Sequence, residues 1–125
     1  MSQAKSKIVL LVEDEPDVRL LLAEYLEEEG YDVLQAASAA EAFAILASKP
    51  RLDLLVSDFR LPDGVSGVMI AEPALKLRPD LKVIFISGYP AEILDSGSPI
   101  AHQAPVLAKP FSFDTLQEQI QRLLA

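Results

Sequence analysis

The sequence predicts an α/β fold built on a single doubly wound, five-stranded parallel sheet. Three observations lead there. Short runs rich in Val, Ile and Leu alternate with segments of helical period along all 125 residues. The runs are apolar on both alternating faces, as strands covered on both sides of a sheet require. Strict β/α alternation then calls for parallel strands joined by right-handed crossovers.

The five predicted strands are "KIVLLVE", "YDVLQAA", "LDLLVSD", "LKVIFIS" and "APVLAK". After the first, Pro16 suits a first helical position, Val18, Leu21, Leu22, Tyr25 and Leu26 repeat on one face, and Gly30 is a stop signal. A second helix starts at a Ser38–Glu41 capping box and carries Ala42, Phe43, Ile45 and Leu46. In the third, "GVMIAEPALKLRPD", Pro73 is expected either to kink the helix or to lie in its first turn. Pro90, Gly97 and Pro99 shorten the fourth to roughly Ala91–Ser96. The last opens at Ser112, with Phe113, Leu116, Ile120, Leu123 and Leu124 on one side.

A chain that is 50% hydrophobic is long enough for one self-sufficient core, so a single domain over 1–125 is expected, with 1–6 as a flexible lead-in. The absence of cysteine excludes disulfides, thiolate metal sites and thiol nucleophiles. Behind "MSQAKSK" come only five apolar residues, Ile8 to Val12, too few for a signal core or a membrane span. The expectation is a cytoplasmic protein without membrane insertion. A formal charge of −8, with eleven Lys and Arg scattered singly, argues against direct contact with nucleic acid.

In an open parallel sheet the working crevice lies beyond the carboxyl ends of the strands. Here the first strand ends in Glu13 and Asp14, the third in Asp58, the fourth in Ser87 and the fifth in Lys109. Carboxylates gathered at about 5 Å repel by roughly 3 kcal/mol per pair at an effective dielectric near 20. A hard divalent ion with oxygen ligands, such as Mg²⁺, offsets that repulsion, and Lys109 adds a mobile positive charge. Each residue also has a plainer reading. Asp58 closes a strand by turning it; Glu13 and Asp14 favour the positive end of the first helix; Ser87 is a small strand-end residue; Lys109 is a solvated lysine. His102, the only histidine, sits among small and polar residues and makes neither a triad nor a zinc site. "FISGY" lacks the glycines of a nucleophile elbow, and no phosphate-binding glycine loop is present.

The acidic pair in "LVEDEP", the loop "LLVSDFRLPDGVSG" with Gly67 nine residues after Asp58, "VIFISG" and "LAKPF" stand in one order and register. From about Lys7 to Leu124 the sequence thereby resembles the receiver domain of two-component response regulators. That resemblance implies the flavodoxin-like strand order 2-1-3-4-5; the fourth helix is expected to be shortened here by its prolines and glycine, and no output domain is expected. It implies that Asp58 takes a phosphoryl group from a phosphohistidine on a histidine kinase or histidine phosphotransfer domain, and signals through protein contacts. It also implies that Asp14, Asp58 and the Arg60 backbone carbonyl bind Mg²⁺, that Glu13 helps through water, and that Ser87 and Lys109 hold the phosphoryl oxygens. Such a protein is a self-phosphorylating and self-dephosphorylating switch more than a turnover enzyme.

Two departures stand out. Val106 occupies the position, three before the lysine, where receivers usually carry Tyr or Phe, and the segment between the fourth and fifth strands is short and proline-broken. Arg60 and Tyr89 stand where side chains of the family border the phosphoryl group. Two other readings share the residues: an aspartyl-nucleophile, metal-dependent phosphohydrolase, against which Arg60 replaces the second Asp such enzymes need, and an unphosphorylated interaction module.

Overall fold

The structure is a computed structural model and describes residues 7–48, 51–89, 91 and 97–124. Five parallel strands, β1 (Ile8–Val12), β2 (Asp32–Ala36), β3 (Leu54–Asp58), β4 (Lys82–Ser87) and β5 (Val106–Ala108), form one sheet in the order β2-β1-β3-β4-β5. Around it lie α1 (Pro16–Glu28), α2 (Ala39–Ser48), α3 (Gly67–Leu77), α4 (Pro99–Gln103) and α5 (Phe113–Leu124).

The continuous apolar runs are explained by burial on both faces. Leu10, Val12, Leu55, Val83 and Phe85 face one core with Ala42, Leu46, Ile70 and Ala74 of α2 and α3. Their neighbours Val9, Leu11, Leu54, Val56, Ile84 and Ile86 face the other, with Leu22, Leu26, Leu116 and Ile120 of α1 and α5. Each Val, Leu, Ile or Phe side chain among them contributes about 1.5–3 kcal/mol by leaving water. At the opposite edge from the strand ends, Asp53 accepts the Ile8 N–H at 2.8 Å and pairs with Arg51 at 3.0 Å, tying β1 to the entry of β3.

Helix ends follow the predicted signals closely. Pro16 is at the first helical position of α1. The helix stops where Gly30, at φ 98°, lets the Gly30 and Tyr31 N–H groups turn back to the carbonyls of Glu27 and Leu26. That is a Schellman closure, and the left-handed residue in it favours glycine. Ser38 Oγ accepts the Glu41 N–H at 3.2 Å, but the Glu41 carboxylate reaches back to the N–H of Ala37, one residue earlier than a standard capping box. Ser112 Oγ accepts the Thr115 N–H at 3.1 Å and caps α5.

Three expectations need correction, and one pair of alternatives, that for Pro73, is resolved. Val18 and Leu21 belong to the apolar stripe of α1 but are 37% and 56% exposed, because α1 beds on the sheet mainly through Leu22, Ala23 and Leu26. Phe43 is likewise exposed on α2, whose inner face is made by Ala42 and Leu46. Pro73 lies in the interior of α3, not its first turn. Pro99 begins helix α4 where it was read as a breaker, since its missing N–H is one that a first turn leaves unpaired anyway. Of the predicted Ala91–Ser96 helix, Ala91 is helical and 92–96 lie outside the described residues, as do 1–6.

The strand registers bring the functional edge together: Val12 stands beside Ser57, Asp58 beside Ile86, and Ser87 beside Ala108. The chain leaves β1 toward β2 on one side and continues through β3 on the other. Glu13 and Asp58 therefore flank the point where strand order reverses, the crevice of a doubly wound sheet.

Candidate functional site

Glu13 follows β1 directly and is held at both ends of its backbone. Its N–H donates to Ala36 O at 3.1 Å, and its carbonyl accepts a hydrogen bond from Arg19 Nη1 at 2.8 Å. Its Oε2 accepts the Glu15 N–H at 3.1 Å, while Oε1 is buried and has no hydrogen-bond partner among the described residues. Burial, reinforced by the Asp58 carboxylate, pushes the Glu13 carboxyl up to about 7. One carboxylate oxygen each from Glu13, Asp14 and Asp58 lies within 4.8 Å of the others.

Asp58, the last residue of β3, is only 4% exposed. Lys109 Nζ lies 3.0 Å from its Oδ1 and 3.9 Å from Glu13 Oε1. The Lys109 backbone is anchored by its own N–H to Ser87 O at 2.8 Å. Burial lowers the affinity of this amine for its proton, but the hydrogen bond to Asp58 and the charges of Asp58, Glu13 and Glu15 outweigh it, leaving the lysine above its ordinary value. The ammonium thus stays charged and pairs with the carboxylate cluster.

The backbone around Asp58 is fixed from three directions. The buried Ser57 hydroxyl donates to Asp58 O at 2.8 Å, and the Phe59 N–H donates to Ile86 O at 2.8 Å. Gly67 packs so closely that a Cβ there would meet Asp58 O at 2.7 Å and Phe85 at 3.2 Å. Only glycine admits α3 to that distance. The intervening loop folds on itself through Leu61 N–H to Val65 O and Gly67 N–H to Phe59 O, with Arg60 bridged to Ser66. Neither bond uses the Arg60 carbonyl.

These residues surround a cleft of about 300 Å³ lined by Asp14, Glu15, Asp58, Arg60, Ile86, Ser87, Gly88, Tyr89 and Lys109. Every residue proposed from the sequence lines it except Glu13, which lies buried beneath. The Ser87 hydroxyl accepts the Tyr89 N–H at 2.9 Å, and Tyr89 itself is 72% exposed at the rim. The sequence reading passed over Glu15 at the lip, Ser57 and Arg19. Their work is done through backbone groups or a chain reversal, and no periodicity or motif marks that.

The clustered donors are carboxylate oxygens of Glu13, Asp14 and Asp58, and Glu13 Oε1 is buried without a hydrogen-bond partner among the described residues. A hard oxygen-seeking dication fits that set; a soft metal does not. The residues provide a crowded acidic corner facing the Lys109 ammonium, an arrangement suited to receiving a phosphoryl group.

The sequence profile of the response regulator receiver domain family matches residues 9–121. The chain belongs to that family. It is 36% identical to response regulator receiver protein CpdR of Brucella abortus over 118 residues, covering 94% of this chain and 97% of that protein. It is 29% identical to sporulation initiation phosphotransferase F of Bacillus subtilis, covering 93% and 92%. Among solved structures, response regulator protein TrrA of Thermotoga maritima in complex with Mg²⁺-BeF aligns with a TM-score of 0.80 at 36% identity, over 94% of this chain and 99% of that one. The protein is therefore a phosphoaccepting receiver domain of the two-component and phosphorelay type. Receivers bind Mg²⁺ at their acidic pocket and partner with histidine kinases or phosphotransfer proteins. No helix among the described residues is long and apolar enough to cross a membrane.

Proposed function

We propose that Asp58 is the phosphoacceptor and that this chain takes its phosphoryl group from a phosphohistidine on a kinase or phosphotransfer domain. The observation that carries the assignment is the position of Asp58: buried at the strand end, 3.0 Å from Lys109 Nζ and within the cluster of Glu13 and Asp14. In the transfer, an Asp58 carboxylate oxygen bonds to phosphorus as the bond from phosphorus to the histidine nitrogen breaks. The imidazole leaves with the bonding pair and takes a proton, and Asp58 becomes an acyl phosphate.

Asp14, Asp58 and the Arg60 carbonyl would hold Mg²⁺, with Glu13 acting through water. The ion supplies positive charge that lets two anions approach. Lys109 neutralises a phosphoryl oxygen, and the Ser87 hydroxyl, released from Tyr89, donates to another. An apolar groove of Val18, Leu21, Leu22, Phe111 and Phe113 adjoins the cleft and shares Glu15 and Lys109 with it. A protein donor reaching Asp58 covers that groove, which accounts for the exposure of Val18 and Leu21. Output passes through protein contacts in the cytoplasm.

Incubation with Mg²⁺ and phosphoramidate, followed by intact-mass measurement, tests the assignment. One phosphoryl adduct is expected on the native protein and none on Asp58→Asn, which keeps the shape and loses the nucleophile. Continuous release of phosphate from esters would instead mark a hydrolase, and an adduct on the Asn variant would move the acceptor elsewhere.

A further inference from the structure

We infer that Arg19 is the positioning residue of the metal-holding corner: its guanidinium clamps the Glu13 carbonyl and so sets where Glu13 and Asp14 present their carboxylates. The inference rests on the reading of that corner as a Mg²⁺ site and assigns it a supporting residue from α1.

At Glu13 the chain leaves the sheet. The N–H of this residue is still paired with β2, through Ala36 O at 3.1 Å, while the chain beyond it turns through Asp14 and Glu15 into α1. A buried carbonyl at that point needs a partner from outside the ladder. Arg19 lies one turn into α1, with its own N–H on Glu15 O at 2.9 Å. Helical side chains lean toward the helix N-terminus, so the half-buried Arg19 reaches back over the first turn and Nη1 meets Glu13 O at 2.8 Å. The reversal is closed a second time by the Glu15 N–H on Glu13 Oε2 at 3.1 Å. Together the bonds occupy the backbone of Glu13 and one of its two carboxylate oxygens. The remaining oxygen, Oε1, faces Lys109 at 3.9 Å in the same cluster as Asp14 and Asp58.

The clamp and the charge of Arg19 act in opposite directions on a bound cation. A guanidinium beside an acidic corner repels Mg²⁺, so if Arg19 were only a neighbouring charge, its removal would tighten metal binding. If it holds the ligands in place, its removal loosens binding, as loss of supporting bonds around metal ligands commonly does by about 10-fold or more. The sign of the change therefore separates the two roles.

The test is isothermal titration of MgCl₂ into the metal-stripped full chain, native and Arg19→Met, at fixed pH and ionic strength, with thermal melts of both in EDTA. Met keeps the apolar stem and loses both donor and charge. The expected result is a Kd raised at least about threefold in Arg19→Met, with both proteins folded at the titration temperature. A Kd unchanged or lowered overturns the clamp, including the case in which only the EDTA melting point falls, which marks Arg19 as a purely structural residue. If Met at this position melts below the titration temperature, Arg19→Gln, whose amide is too short to reach Glu13 O, is titrated under the same criterion. Failure of the native protein to bind Mg²⁺ at all would overturn the metal reading itself and is seen in the same titration.

Discussion

Glu13 shows how one side chain ties the chemistry of the site to stability. Its carboxyl, raised to about 7 mainly by burial, is more basic in the folded chain than in the unfolded one, where it stays near the ordinary 4.5. Its contribution to stability is thus present in full below about 4.5 and is lost as pH rises through about 7. Glutamine at this position imitates the protonated form at every pH. In EDTA, Glu13→Gln is expected to melt above the native protein by roughly 4–11 °C at pH 8, corresponding to about 1–3 kcal/mol, and close to it at pH 5. Thermal melts at the two pH values check this, and an equal gap at both would contradict the burial argument. Asp14, Asp58 and Lys109 were legible because each sits where a hydrophobic run ends, and a charge at such a place needs a reason. Arg19 and Ser57 were not. One acts across a chain reversal and the other on the next residue's carbonyl, so neither leaves a trace in composition or period.

Among the elements, α3 matters most to the acceptor because its first residue lies against the Asp58 carbonyl. The sequence marked Gly67 by its distance from Asp58, but the physical cause appears only in three dimensions: a Cβ would stand 2.7 Å from Asp58 O and 3.1 Å from Ser57 Oγ. The backbone oxygen cannot turn aside, so α3 must back away. Gly67→Ala is expected to cost about 1–3 kcal/mol and to slow phosphorylation by phosphoramidate more than a helix substitution of similar cost away from the acceptor, such as Ala74→Gly further along α3 at about 1 kcal/mol or more. Denaturant melts paired with rates of adduct formation decide it; equal rates at matched stability would reduce Gly67 to a packing residue. Strands and the longer helices were readable from period and caps, since those signals are local. The region before β5 was less so, because proline at a helix start and proline as a breaker look alike in sequence. Val106 packs, half-buried, with Ile100 and Ala104 against the core that contains Phe85. The aromatic usual to the family at that position has no counterpart here.

For the whole molecule, the fold explains why so few residues suffice. Parallel strands end in the same direction, and the order β2-β1-β3-β4-β5 places the ends of β1 and β3 side by side with β4 and β5 following. Residues as distant in sequence as Glu13, Asp58 and Lys109 therefore share one corner without any local motif. Alternation of elements predicted the parallel sheet, whereas the strand order came from the family resemblance, because apolar runs of equal length do not say which neighbour each will choose. The central claim is that this corner makes an acyl phosphate at one named residue. An acyl phosphate is reduced by borohydride, which turns an aspartyl phosphate into homoserine, while a free carboxylate is left untouched. Treatment of the chain with Mg²⁺ and phosphoramidate, then with borohydride, followed by peptide mass mapping, is expected to place homoserine at position 58 and nowhere else. Aspartate retained at 58 with homoserine at 14, or at any other aspartate, would contradict the claim.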